Sequence, residues 1–237
     1  MRVRASALKV ARRCGRRVRF DDLYRAEQSE AETQTAATRL GTEVHLTAEL
    51  WHAGLYVPVK GRPADAVFLS GLSYNPPPGT HVPEWHFEID IDGVPYSGTI
   101  DLHAPGSVVD HKTSSNPRAY ALTEAGMRED PQVVLYSYVV RERYGIDARA
   151  RWIYYPTRGG KALVRETYWE RQQLDDAFAE HVHEPARALH RLRVYQVDPM
   201  DVTPNYDACM DFNRPCAYAQ ACGSMQNAES KAHRCDF

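Results

Sequence analysis

The stretch that most constrains this chain is EWHFEIDIDGVPYSGTIDLHAPGSVVDHKTS, residues 84–114. Trp85, Phe87, Ile89 and Ile91 alternate with polar residues, the period of a half-buried strand. Asp92-Gly93 is a hairpin turn, a second strand runs through residues 96–102, and Pro105-Gly106 turns the chain into a third over 107–112. This stretch therefore predicts a three-strand meander.

Helices and two further strands surround it. Residues 6–13 read as a short helix leading into Cys14. Residues 29–51, rich in Ala, Glu, Thr and Leu and free of Pro, read as a long one. Asn75-Pro-Pro-Pro-Gly79 is a break. Asp130-Pro131 starts a helix, Asp as N-cap and Pro at the first helical position, and Gly145 ends it. Strands over 149–155 and 162–168 and a helix over 171–191 precede a cysteine-rich tail. The order predicts one α/β (α+β) domain across all 237 residues, a mixed sheet flanked by helices. No run approaches the roughly 20 apolar residues of a membrane helix, and the N-terminal segment lacks a secretory apolar core. A cytoplasmic protein without membrane contact is the expectation.

Chemistry enters with Asp101-x8-Asp110-x-Lys112. Asp110 and Lys112 are two apart on one strand and project from the same face, and the preceding strand brings Asp101 beside them. Two close carboxylates repel unless a cation lies between them, and hard oxygen ligands suit Mg²⁺ or Mn²⁺. Such an ion polarises a phosphodiester and lowers the pKa of a water, while Lys112 can orient that water or neutralise transition-state charge. Taken alone, an Asp…Asp-x-Lys pattern also suits a solvated strand end. His45 on the long helix can add a ligand, although a lone helical histidine is more often structural. Gln132 and Tyr136, at i and i+4, share a helix face suited to gripping a phosphate or base, although a tyrosine on an amphipathic helix is usually half-buried core.

The formal charge is −2, but it is unevenly spread. Residues 1–20 hold eight Lys/Arg and no Asp/Glu, leaving 21 basic against 31 acidic residues in the remainder. Arg12, Arg13, Arg16 and Arg17 form the densest part of a footprint that phosphate would attract, although a solvated basic N-terminus is the alternative. Five cysteines without a secretory signal favour metal ligation over disulfides. The spacing Cys209-x6-Cys216-x5-Cys222 is wider than that of most zinc sites and leaves room for a larger cluster, with reduced, surface-exposed thiols as the alternative.

Four short motifs, Gly41-Thr-Glu-Val-His45, Gly98-Thr-Ile-Asp101, Asp110-His-Lys112-Thr-Ser and Gln132-Val-Val-Leu-Tyr136, resemble in order the G-x-x-x-H, G-x-x-D, D-x-K-T and Q-x-x-x-Y motifs of the RecB-type PD-(D/E)XK nucleases. The resemblance spans roughly residues 6–222. It implies a restriction-endonuclease-like core, with His45, Asp101, Asp110 and the main-chain carbonyl of His111 as metal ligands and Lys112 as the catalytic lysine. It makes Gln132 and Tyr136 DNA-contacting, and Glu84, more than Glu88, suits the acidic position that the family often has on the preceding strand. His111 stands where an aromatic residue is common, a mild departure because that position contributes backbone.

An iron–sulfur branch of these nucleases, which includes the AddB nuclease domain and small CRISPR-adaptation and phage exonucleases, holds a [4Fe–4S] cluster on one N-terminal and three C-terminal cysteines. Ser6-Ala-Leu-Lys-Val-Ala-Arg-Arg-Cys14 and Arg214-Pro-Cys216-Ala-Tyr are similar to its ligand segments. The usual closing pattern is C-x2-C-x5-C; here the first gap is x6. The resemblance then implies Cys14, Cys209, Cys216 and Cys222 as ligands, Cys235 in reserve, and residues 1–20 and 205–237 as the cluster-binding part joining the chain ends.

The resulting expectation is an Mg²⁺- or Mn²⁺-dependent DNA exonuclease or end-processing enzyme acting in recombination, repair or phage or CRISPR DNA processing. The Asp101, Asp110 and Lys112 set favours it over a non-catalytic DNA-binding subunit. A zinc-stabilised interaction module would leave the carboxylates incidental. The chain has no Walker-type G-x4-G-K-[ST] segment, so any helicase, recombinase or adaptation partner would be separate.

Overall fold

The computed structural model describes residues 1–24, 35–211 and 214–223. The expected meander is β1 (Val82–Ile91), β2 (Val94–Ala104) and β3 (Ser107–Ser114), paired antiparallel in sequence. Strand β4 (Arg149–Pro156) lies parallel to β3, and β5 (Leu163–Tyr168) antiparallel to β4. The result is a mixed five-stranded sheet of order β1-β2-β3-β4-β5. A parallel pair needs a crossover, here the helices between β3 and β4: α5 (Pro117–Tyr120), α6 (Glu124–Glu129) and α7 (Pro131–Tyr144).

Two apolar clusters lie among the helices and strands. One joins the sheet to α1 (Ala5–Arg13), α7, α8 (Arg171–Phe178) and α9 (Glu184–Val194), through Leu8, Ile100, Val134, Trp152 and Leu189. The other joins it to α3 (Ala36–His52) and α4 (Pro63–Leu69), through Val44, Phe68, Leu102, Val109 and Tyr155. Helix α7 starts where the sequence predicts: the Asp130 side chain accepts from the N–H groups of Gln132 and Val133, and Gly145 closes the helix at φ 70°.

Helix α3 begins one residue after its Thr35 cap, and residues 29–34 of the expected long helix fall outside the described residues. The helix expected over 171–191 contains a π turn, Ala179–His183, just ahead of Pro185, which has no N–H to give. Helix α2 (Gly15–Tyr24), absent from the sequence reading, carries Arg16, Arg17 and Arg19 of the basic segment. A short hairpin, β6 (Met210–Asp211) with β7 (Arg214–Pro215), brings the tail against α1 and α2. Among the described residues no helix is long and apolar enough to cross a membrane.

Candidate active site

Two glycines let the site assemble. A Cβ on Gly41 would stand 2.9 Å from the Thr113 hydroxyl, so glycine here lets α3 approach β3 closely. One helical turn later His45 projects from the same face. Its Nδ1 is 3.4 Å from Asp101 Oδ2. On β2, Gly98 leaves room for the Phe87 and Tyr136 rings, which a Cβ would meet at 2.8 and 3.1 Å.

Beyond the Leu102–Val109 pair the β2–β3 ladder stops. There Asp101 Oδ2 accepts the main-chain N–H of His111 at 2.7 Å, so a side chain continues what the ladder left open. Opposite Asp101, Glu84 interrupts β1 with a left-handed φ of 47° and no Cα partner. That backbone conformation costs a non-glycine residue about 1–3 kcal/mol. Ligand atoms of His45, Glu84 and Asp101 all lie within 4.8 Å of one another. Sequence pattern gave Glu84 only a secondary place, but it stands with the other two.

Asp110 and Lys112 meet on β3, Nζ to Oδ2 at 2.6 Å, with Asp110 almost wholly buried. The other Asp110 oxygen accepts from Gln132 Nε2 at 2.9 Å. Gln132 Oε1 in turn accepts from Lys9 Nζ at 3.2 Å, and Lys9 is 3.0 Å from Asp130 Oδ2. Lys9 was missed as a site residue at the level of sequence; it lies on α1, outside the four nuclease motifs. The Tyr136 ring stands edge-on to Phe87 and is nearly buried.

The electrostatics are those of crowded acids. Burial, then Asp110, raises Asp101 well above the usual carboxyl range, while Lys112 and the His111 amide oppose the rise. Burial, then Glu49 and Asp110, raises Glu84. Burial opposes charge on Lys112, but Asp110 and Asp101 outweigh it and hold the ammonium above its ordinary range. Burial lowers His45, favouring the neutral ring that ligates metals, while Asp110 and the His111 main chain oppose the shift. One nitrogen and several oxygens, with carboxylates that ionise only at a cost, fit a divalent cation. The His111 side chain is buried elsewhere, its Nε2 3.1 Å from Asn75 Oδ1.

Cys14, Cys209, Cys216 and Cys222 line one small cavity, with no disulfide among them. Cys235 lies outside the described residues. Among the described residues no three of these sulfurs come within 4.8 Å of one another.

The arginines divide. Arg12, Arg13 and Arg17 line an open groove with Lys9, Glu129 and Asp130. Arg16 does not belong with them, contrary to expectation. It is buried, donates to the Val202 and Met200 carbonyls, and has Nη1 3.5 Å from Cys222 Sγ. Burial of the apolar stem and three partners across the tail turn it inward, away from any ligand in solvent.

A sequence model of the PD-(D/E)XK nuclease superfamily matches residues 75–223. A candidate exonuclease from Eubacterium rectale has a similar solved structure, at TM-score 0.51 and 14% identity over 86% of this chain and 80% of that one. The crystal structure of SSO0001 aligns at TM-score 0.46 and 16% identity over 87% and 80% of the two chains. No curated protein matches.

Proposed function

The chain belongs to the PD-(D/E)XK nuclease superfamily, and on that premise we propose that it is a divalent-metal-dependent DNA nuclease acting at or near strand ends. The observation that carries this reading is the convergence of Asp101, Asp110 and Lys112 where β2 and β3 part, with His45 and Glu84 closing the group.

His45, Asp101, Asp110 and the His111 carbonyl, joined by Glu84, would hold Mg²⁺ or Mn²⁺. When bound, the ion activates water and stabilises charge on the phosphate. Lys112, kept protonated by its two carboxylates, donates to the oxygen on which charge builds as water bonds to phosphorus and the sugar oxygen leaves. Gln132 fixes Asp110, and Lys9 fixes Gln132. Arg12, Arg13 and Arg17, with Gln132 and Tyr136, supply contacts to the strand.

The cysteines fit a [4Fe–4S] cluster held by Cys14, Cys209, Cys216 and Cys222, with residues 1–20 and 205–237 as its binding part. Their gathering around one cavity supports this. The cluster would be a structural tie between α1 and the tail.

The test is digestion of end-labelled single- and double-stranded DNA with Mn²⁺, Mg²⁺ or chelator, using anaerobically purified protein. Metal-dependent release of labelled mono- or short oligonucleotides supports the reading. An enzyme that binds these strands and cuts none of them refutes it.

A further inference from the structure

A groove of about 330 Å³ opens beside the carboxylates, between the start of α1 and the β1–β2 hairpin. Arg4, Ser6, Lys9, Thr99, Gln132 and Tyr136 line it, with the Gly98 backbone among them. It begins one side chain from the reaction centre, because the Gln132 amide that borders it is bonded to Asp110. Its size falls in the range of roughly 300–1,000 Å³ found for small-ligand sites.

The lining is cationic and polar. Among the described residues no carboxylate lines the groove, and the first turn of α1 carries none. Arg4 is exposed, and among the described residues its side chain has no partner. Lys9 is held in place by Asp130 and Gln132 but keeps part of its surface open. The chain thus holds a guanidinium and an ammonium beside a tyrosine, next to a centre whose own carboxylates repel anions.

We infer that this groove is a nucleotide subsite in which Arg4 grips a phosphate of the strand one step from the scissile bond. The inference rests on the nuclease reading and names how that site takes its substrate. Arg4 and Lys9 meet the phosphate, and Tyr136 and the Gly98 backbone flank the sugar or base. Lys9 also borders the second groove with Arg12, Arg13 and Arg17, so a longer strand leaving the subsite along α1 continues to meet cations. The phosphate gripped is either the strand's terminal phosphate or an internal one.

The test uses the full chain without divalent metal and two tetranucleotides, one 5′-phosphorylated and one with a 5′-hydroxyl. Affinities are compared for the wild type, Arg4→Ala, and Arg149→Ala, a control for the loss of one exposed positive charge at the start of β4. Arg4→Ala should weaken binding about tenfold, the scale of one charge-assisted hydrogen bond. Loss confined to the 5′-phosphorylated strand assigns the subsite to a terminal phosphate; equal loss on both assigns it to an internal one. An Arg4→Ala affinity no lower than that of Arg149→Ala, or a wild type that binds neither strand, overturns the subsite. Cleavage with Mn²⁺ is scored separately on the same wild-type preparation. Arg4-dependent binding without cleavage sinks the nuclease and keeps the subsite, and cleavage with Arg4-independent binding does the reverse.

Discussion

Gly98→Ala tests the close packing on which the site depends. The added Cβ would stand 2.8 Å from both Phe87 Cε1 and Cζ and 3.1 Å from Tyr136 Cε1. Carbon atoms prefer about 3.5–4.0 Å, so two ring atoms are roughly 1 Å too close. Both rings are nearly buried and packed edge to face, with centroids 5.9 Å apart, so neither can swing into solvent. Overpacking of this kind costs about 1–3 kcal/mol. For a chain of this size that corresponds to a fall of roughly 2–12 °C in melting temperature. Phe87→Leu removes the two clashing atoms, so the double variant should lose less stability than the two single losses added together. Thermal unfolding of the four proteins by circular dichroism checks both statements. A Gly98→Ala protein melting within 1 °C of wild type, or strict additivity in the cycle, would refute the reasoning.

Gly41→Ala should cost less than Gly98→Ala, because its Cβ meets only the end of the Thr113 side chain, which can rotate; the same melts measure it. Gln132→Ala strips a hydrogen bond from the buried Asp110 carboxylate, and a loss of about 1.5–3 kcal/mol in chemical denaturation is expected, together with lower kcat. In chelator, Asp101→Asn should melt above wild type, since burial and Asp110 make the ionised carboxylate costly at neutral pH; added Mn²⁺ should then raise the wild type and not the variant. If the four cysteines hold an iron–sulfur cluster, Cys14→Ala should cost brown colour, with its broad absorption near about 400 nm, and thermal stability together. Colourless wild-type protein with stoichiometric zinc would contradict that assignment.

Much of the scaffold was readable because its signals are local. The alternation from Trp85 to Ile91, the Asp92-Gly93 turn and the Asp130-Pro131 cap each act within a few residues, and β1, β2 and α7 follow from them. The shared face of Asp110 and Lys112 follows from strand period alone. Other features depend on contacts far apart in sequence. The parting of β2 from β3, which turns Asp101 onto the His111 amide, leaves no mark in a single segment. Neither does the left-handed turn at Glu84. Arg16 belonged by sequence to a solvent-facing basic run, and only the tail packed across α2 shows that its partners are the Val202 and Met200 carbonyls. Lys9 reaches Gln132 across 123 positions, a separation no motif encodes.

The most direct measurement of the central claim is single-turnover cleavage of end-labelled DNA by wild type, Asp110→Asn and Lys112→Ala, with strand affinity measured in parallel. Both residues act on charge that develops in the transition state, so cleavage should fall by at least about a thousandfold while dissociation constants change by less than roughly threefold. Variants that keep cutting at near the wild-type rate would contradict the account, as would wild-type protein freshly loaded with Mn²⁺ that binds these strands and leaves every one intact.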